Sequence, residues 1–155
     1  MVQPLAEGCE NPLAMILQSA QRFAAALDAE DYEGVRATLA ADCVYHAPEG
    51  LQIGPDEIVK SYRQNGASAR DRFEKIEYES RVEAIGPTDA LITFIDRVTL
   101  RGAWHEFRCR QRIRIGAGGL VEQIWHEEIP GERERLRQFE AGAAGRITPL
   151  SASGG

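Results

Sequence analysis

The chain has 155 residues, 43% of them hydrophobic and 27% charged, with a formal net charge of −6. That is enough for one domain with a core and a cavity, while the acidity excludes an electrostatic footprint for nucleic acid and docking on anionic membranes. No apolar run approaches the ~20 residues that span a bilayer, and the first ten residues lack the basic and apolar regions of a secretory signal, so the expected compartment is the cytoplasm.

Residues 1–11 read as an irregular lead-in. Asn11-Pro12 then opens a helix, because proline fits a first turn where its missing N–H is harmless. Ile16, Ala20, Phe23, Ala24 and Leu27 recur at helical spacing and form one apolar stripe. Asp31 caps a short second helix in which Val35 and Leu39 face inward, and a strand follows that stops at Ala47-Pro48. A third helix is predicted from Pro55 to about Asn65, ending at Gly66.

From Phe73 onward the period changes to two. Ile76, Tyr78, Val82 and Ala84 share one face, against Lys75, Glu77, Glu79, Arg81 and Glu83. Turns at 86–89 and at Gly102-Ala103 flank a β-prone run from Ala90 to Arg101. Residues 104–115 alternate His105, Phe107, Cys109, Gln111, Ile113 and Ile115 against Glu106 and four arginines, at 108, 110, 112 and 114. That arginine row reads as a solvated sheet face paired with acids on neighbouring strands. A glycine-rich turn at 116–119 leads to a last strand over 120–129, and Pro130 to Phe139 reads as a charged helix anchored by Leu136 and Phe139. One domain over 12–140 results, with 141–155 a flexible tail rich in Ala, Gly and Ser. Cys9, Cys43 and Cys109 are odd in number with no C-x-x-C pair, which argues against a disulfide framework and a zinc site; Cys43 and Cys109 read as small buried hydrophobes.

The stretch Arg22–Gly50 (RFAAALDAEDYEGVRATLAADCVYHAPEG), followed by Gly54-Pro55 at the next helix start, resembles the opening of the nuclear transport factor 2-like superfamily. That superfamily includes ketosteroid isomerases, limonene epoxide hydrolases and SnoaL-like polyketide cyclases. The resemblance implies an α+β cone: a curved antiparallel sheet with three N-terminal helices on its concave face, a short C-terminal helix and an enclosed pocket. Dimers built through the sheet are implied as well.

Aligned on Arg22 and Pro48, the ketosteroid isomerase base falls on Ala47, its oxyanion tyrosine on Phe23 and its second donor near Gln111. Ala47 and Phe23 can neither move a proton nor donate one, so that mechanism is excluded. The epoxide hydrolases are similar at Tyr45, at Asp96-Arg97-Val98-Thr99 for their Arg-x-Asp, and at Trp125-His126-Glu127 for their Trp-x-Asp. The SnoaL-like cyclases use an inward aspartate or histidine, for which His46, His105 and His126 are the available histidines. The resemblance thus implies Glu127 as acid/base, Arg97 as its partner and anion stabiliser, and Tyr45 as hydrogen-bond donor. It places Phe23, Ala47, Thr99, Phe107, Cys109, Gln111 and Trp125 around the pocket. The function this supports is binding or transforming a small, largely apolar metabolite by acid/base chemistry without a cofactor, of cyclase, isomerase, lyase or hydrolase type. The alternatives are a non-catalytic ligand-binding or dimerisation module, in which Arg97–Glu127 is a buried ion pair, and, third, an epoxide hydrolase. The expected partners are a small-molecule ligand and a second copy of the chain.

Overall fold

The computed structural model describes residues 11–154; the lead-in over 1–10 lies outside them. Helix α1 spans Pro12–Asp28, and the Asn11 side chain caps it by accepting the Ala14 N–H at 3.2 Å. Its buried stripe is Ile16, Ala20, Phe23 and Ala24, as the spacing predicts. The chain leaves α1 through Glu30, which holds a left-handed φ of 55°. Asp31 caps α2 (Tyr32–Thr38) by accepting the Gly34 N–H at 3.0 Å. β1 (Leu39–Ala47) and β2 (Gly50–Ile53) form a hairpin, after which α3 runs Pro55–Arg72.

α3 therefore continues past Gly66, where the sequence predicts a stop. This glycine serves close packing instead: a β-carbon there would lie 2.7 Å from the Tyr32 hydroxyl and 3.1 Å from the Glu30 carboxylate. Arg70 and Arg72 in the last turn suit the negative end of the helix dipole. The four-residue β2 carries no alternation signal of its own, since Leu51 and Ile53 are both 62% exposed.

Strands β3 (Lys75–Ala84), β4 (Asp89–Leu100), β5 (Ala103–Ile115) and β6 (Val121–Glu128) complete a six-stranded sheet of order β2-β1-β6-β5-β4-β3. All neighbours are antiparallel except β1 and β6, which run parallel. Tight turns join the strands; at the β4–β5 hairpin both Arg101 and Gly102 have positive φ, 53° and 79°, which matches the strands' twist. The sheet is curved and does not close. Register breaks between Leu39 and Val44 and at Arg114/Ile115 add the local bending that irregular pairing gives.

The pairings sort side chains to two faces. Tyr78 opposes Asp96, Asp96 opposes Phe107, Phe94 opposes Cys109, Gln111 opposes His126 and Tyr45 opposes Ile124. These residues all point to the concave side. The core fills the closed end of the cone, where α1, Val35 of α2, and Ile58 and Val59 of α3 meet Ile92, Ile113, Ile115, Val121 and Ile124.

The last helix, α4 (Glu132–Gly154), is longer than the short helix expected and continues through 141–154, where the sequence suggests a tail. It docks on β5: the Arg108 N–H donates to Glu132 at 2.8 Å, and Phe139 stacks on His105 with ring centroids 5.1 Å apart. Among the described residues no helix is long and apolar enough to cross a membrane.

Phe23 is 0% exposed and sits where α1 meets the sheet. Phe23→Ala is expected to cost about 3–5 kcal/mol in urea unfolding; a loss under about 1 kcal/mol would overturn its place in the core.

Candidate functional site

Beyond the last turn of α1 the concave face is not filled. A cavity of about 240 Å³ lies there, walled by Leu27 and Asp28 of α1, Tyr62 and Ala69 of α3, and the sheet. Its aromatic lining is Tyr32, Tyr45, Tyr62, Tyr78 and Phe94, and its polar lining includes Asp28, Glu30, Asp96, Gln111 and His126.

Asp96 dominates the electrostatics. Burial in the middle of β4, with the nearby Asp28 carboxylate adding to it, pushes its pKa up to about 7. Asp28, at the end of α1, is also raised by burial; a hydrogen bond from the Ser80 hydroxyl at 2.6 Å pulls the other way, and Glu79 adds to the rise. No basic side chain contributes to holding either carboxyl ionised. Two acids close together with one proton held near neutrality form an arrangement able to give or take a proton at physiological pH.

A phenol–amide chain forms the opposite wall. The Tyr62 hydroxyl donates to Gln111 Oε1 at 2.8 Å, and Gln111 Nε2 donates to the Tyr45 hydroxyl at 3.1 Å. The Tyr45 and Tyr62 rings stack at 5.3 Å, nearly parallel. Burial raises both phenols, so they stay protonated. Because Gln111 occupies the acceptor side of the Tyr45 oxygen, the Tyr45 proton is left to donate towards a bound molecule. His126 Nε2 is hydrogen-bonded to Glu128 at 3.3 Å, while its Nδ1 is buried without a partner. Burial pushes the Cys109 thiol up to about 12, which keeps it un-ionised and a poor nucleophile. Among the described residues no group of His, Cys, Asp and Glu is arranged to hold a metal ion.

Of the residues the sequence nominated, Tyr45, Cys109 and Gln111 line this cavity. Phe107 shares the concave face without reaching the cavity, and Ala47 packs on the core. Phe23 is core as well, meeting Tyr62 edge-on at 6.2 Å.

Arg97, Thr99, Trp125 and Glu127 are not in the pocket but on the outer face. Arg97 binds Glu79 at 2.8 Å and Glu106 at 3.2 Å, and Thr99 lies beside Trp104 in an outer depression. Glu127 faces Arg112 at 3.9 Å. Trp125 stacks on His46 at 5.3 Å and lies under the Arg112 guanidinium at 3.9 Å. The acid/base pairing of Glu127 with Arg97 is thereby withdrawn. Two features misled the parity. In β4, Ile95 is 2% exposed although it points outward, so the alternation of this run carries no sidedness. In β6, Ile115 pairs with Val121 but Arg114 with Gln123, so Glu122 is an extra residue that shifts the strand's faces by one.

The groups the sequence reading missed are Asp28, Asp96, Tyr62 and Tyr78. Asp96 stands one residue before Arg97 in the very segment compared with Arg-x-Asp, and His126 one residue before Glu127; a one-residue slip hides both.

No family model matches the chain, and no curated protein matches it. Solved structures do. An LEH-like epoxide hydrolase of Mycobacterium tuberculosis superposes with a TM-score of 0.64 at 16% identity, covering 88% of this chain and 94% of that one. TerC, co-crystallised with polyporic acid, gives 0.61 at 15% identity, with 79% and 97% covered. RV0760c of Mycobacterium tuberculosis, in complex with estradiol-17beta-hemisuccinate, gives 0.56 at 16%, with 76% and 96% covered. At these identities the likeness establishes the architecture: the chain has the nuclear transport factor 2-like cone fold.

Two substitutions test the assignment of faces. Gln111→Leu strands the buried Tyr45 and Tyr62 hydroxyls and is expected to cost about 1–3 kcal/mol. Glu127→Gln, on the solvated face, is expected to change stability by under about 0.5 kcal/mol. The reverse order in denaturant titrations would overturn the placement.

Proposed function

We propose that this protein binds a small, largely apolar molecule in the cone and moves a proton on it without a cofactor, with Asp96 as the acid/base group. The observation that carries this reading is a carboxyl held near a pKa of 7 inside an aromatic cavity. A carboxyl buried in a cleft with no cationic partner to hold it ionised is better accounted for by chemistry than by stability. Burial maintains the shift, and Asp28 adds to it by disfavouring a second negative charge. Tyr45, held by Gln111, donates to an oxygen of the bound molecule as charge develops there, and Phe94 and Tyr62 wall the apolar part. The reaction class is proton transfer of isomerase, cyclase, lyase or hydrolase type. The bound small molecules of TerC and RV0760c support use of the cone as a ligand site.

The competing reading is a non-catalytic binding module, in which Asp96 only recognises its ligand. Turnover separates the two. Asp96→Asn keeps size and polarity but removes the titrating proton, and is expected to lower turnover by roughly 10²–10⁴-fold; a variant that binds and turns over as before would sink the proposal.

The same group makes a stability prediction. Asp96 ionises in the unfolded chain near its ordinary value of 3.8 but in the fold only near 7. The stability associated with the protonated carboxyl is therefore complete below about pH 4 and is lost as pH rises to about 7, by an amount of order 3–4 kcal/mol. Asp96→Asn is expected to flatten that decline in melts between pH 4 and 8. Carboxyl titration by ¹³C NMR checks it directly, and an Asp96 value below 5 would overturn the role.

A symmetric homodimer through the outer sheet face belongs to the same reading, supported by Trp104, which is 66% exposed there. Light scattering at micromolar concentration is expected to give the dimer mass; a monomer would refute it.

A further inference from the structure

The cavity is one-sided in its charge. Around it, α1 contributes the Asp28 carboxyl, the turn after it Glu30, β4 Asp96, and β6 the His126 ring, while no lysine or arginine is among the lining residues. Cations beside the lining residues are already engaged: Arg70 pairs with Glu30, Arg63 lies over the Tyr32 ring at 5.1 Å, and Arg133, near enough to Cys109 to act on it, pairs with Glu128. The titratable groups contributed by the other packed elements are phenols and a thiol: Tyr32 of α2, Tyr45 of β1, Tyr62 of α3, Tyr78 of β3 and Cys109 of β5. His126 adds a second kind of observation. Its Nε2 is hydrogen-bonded to Glu128, and its Nδ1 is buried without a partner. A buried polar atom without a partner is costly, and a partner brought by a ligand relieves it.

An anionic ligand would enter this space without a counter-charge and against two carboxyl groups. A neutral one would leave the Asp28–Asp96 repulsion as it stands. A cation is attracted by the Asp28 and Asp96 carboxyl groups, and the aromatic lining suits an apolar skeleton that carries it.

We infer that the ligand of this cavity is an amine, a protonated nitrogen on a compact apolar or aromatic skeleton, with the nitrogen directed to Asp28 and Asp96 and the skeleton against Tyr45 and Phe94. This rests on the reading of the cavity as the functional site and adds the substrate class. It also gives the acid/base group its working state: the arriving cation favours the carboxylate form of Asp96, so binding converts it into a base. Below pH 7 that conversion expels a proton, and affinity for an amine therefore rises from pH 6 to pH 8.

Two isosteric probe series test this by calorimetry: benzylamine, benzyl alcohol and benzoate, and 2-naphthylmethylamine, 2-naphthylmethanol and 2-naphthoate. At pH 8 the amine of at least one series is expected to bind tenfold or more tightly than its alcohol, with no detectable binding of either carboxylate. Its affinity is expected to be lower at pH 6, where two buffers of different ionisation heat report proton release. Asp96→Asn is expected to abolish the pH dependence and most of the preference for the amine, while leaving alcohol binding in place. Equal or tighter binding of an alcohol or a carboxylate, or no binding by any of the six, overturns the amine. The acid/base reading is judged separately by the ¹³C titration of Asp96 in the free protein. A normal Asp96 value sinks that reading, whereas a raised value with alcohol-selective binding sinks only the amine.

Discussion

The length of α1 is the constraint on which the rest of this fold depends. A curved sheet presents more concave surface than one helix covers, and the apolar stripe of α1 ends at Leu27, with Asp28 as its last residue. Up to that point Ile16, Ala20, Phe23 and Ala24 seat on Ile92, Ile113 and Ile124, and the cone is a packed core. Past it the chain turns away through the left-handed Glu30, and the uncovered remainder of the sheet becomes cavity wall. A non-glycine residue in that conformation costs of order 1 kcal/mol, a strain held at the mouth of the site, where Glu30 is tied to Arg70 and to the Tyr32 hydroxyl.

That division explains why the two faces of one strand have opposite chemistries. Within β4, Asp96 loses its solvation and holds its proton, while Asp89 on the outer face keeps none. Burial opposes ionisation of Asp89, but hydrogen bonds from Arg114, Thr88 and Arg112 hold it below the usual carboxylate range. The outer arginines find such partners repeatedly: Arg112 and Arg114 share Asp89, Arg97 bridges Glu79 and Glu106, and Arg108 also reaches Glu106. Exposed pairs of this kind contribute little stability each. What they do is pair off the charges of a long sheet face around Trp125, which is sandwiched between His46 and Arg112.

The fold was legible because its signals are local and redundant. Asn11 and Asp31 cap helices as their side chains dictate, the α1 stripe has helical spacing, and the β5 alternation is unbroken. The site was only partly legible, because it depends on sidedness. Cys109 and Gln111 lie in a strand whose alternation is clean over its length, and Tyr45 lies in the regularly paired end of β1, and they were found. Asp96 and His126 lie where alternation fails, in a strand buried partly on both faces and in one with an extra residue at Glu122. Since one residue reverses a strand's faces, an otherwise sound alignment chose the outward neighbours Arg97 and Glu127. Gly66 taught a similar lesson in a helix: a glycine needed for the approach of Tyr32 looks the same in sequence as one that ends a helix.

The parallel pairing of β1 with β6 has a consequence for how the chain comes into being. Residues of β1 from Leu39 to His46 must find partners between Val121 and Trp125, so roughly half the chain separates the two strands and most of it must be made before they can meet. Until then β1 has only the short β2 at its side, and Cys43, Tyr45 and the α1 stripe await Ile124 and its neighbours. The nascent chain passes through a stage with a bare strand edge and an uncovered apolar surface, the kind that recruits chaperones or other half-made copies. Completion of β6 ends that exposure and, with Gln111 and His126 drawn side by side, assembles the cavity in the same step.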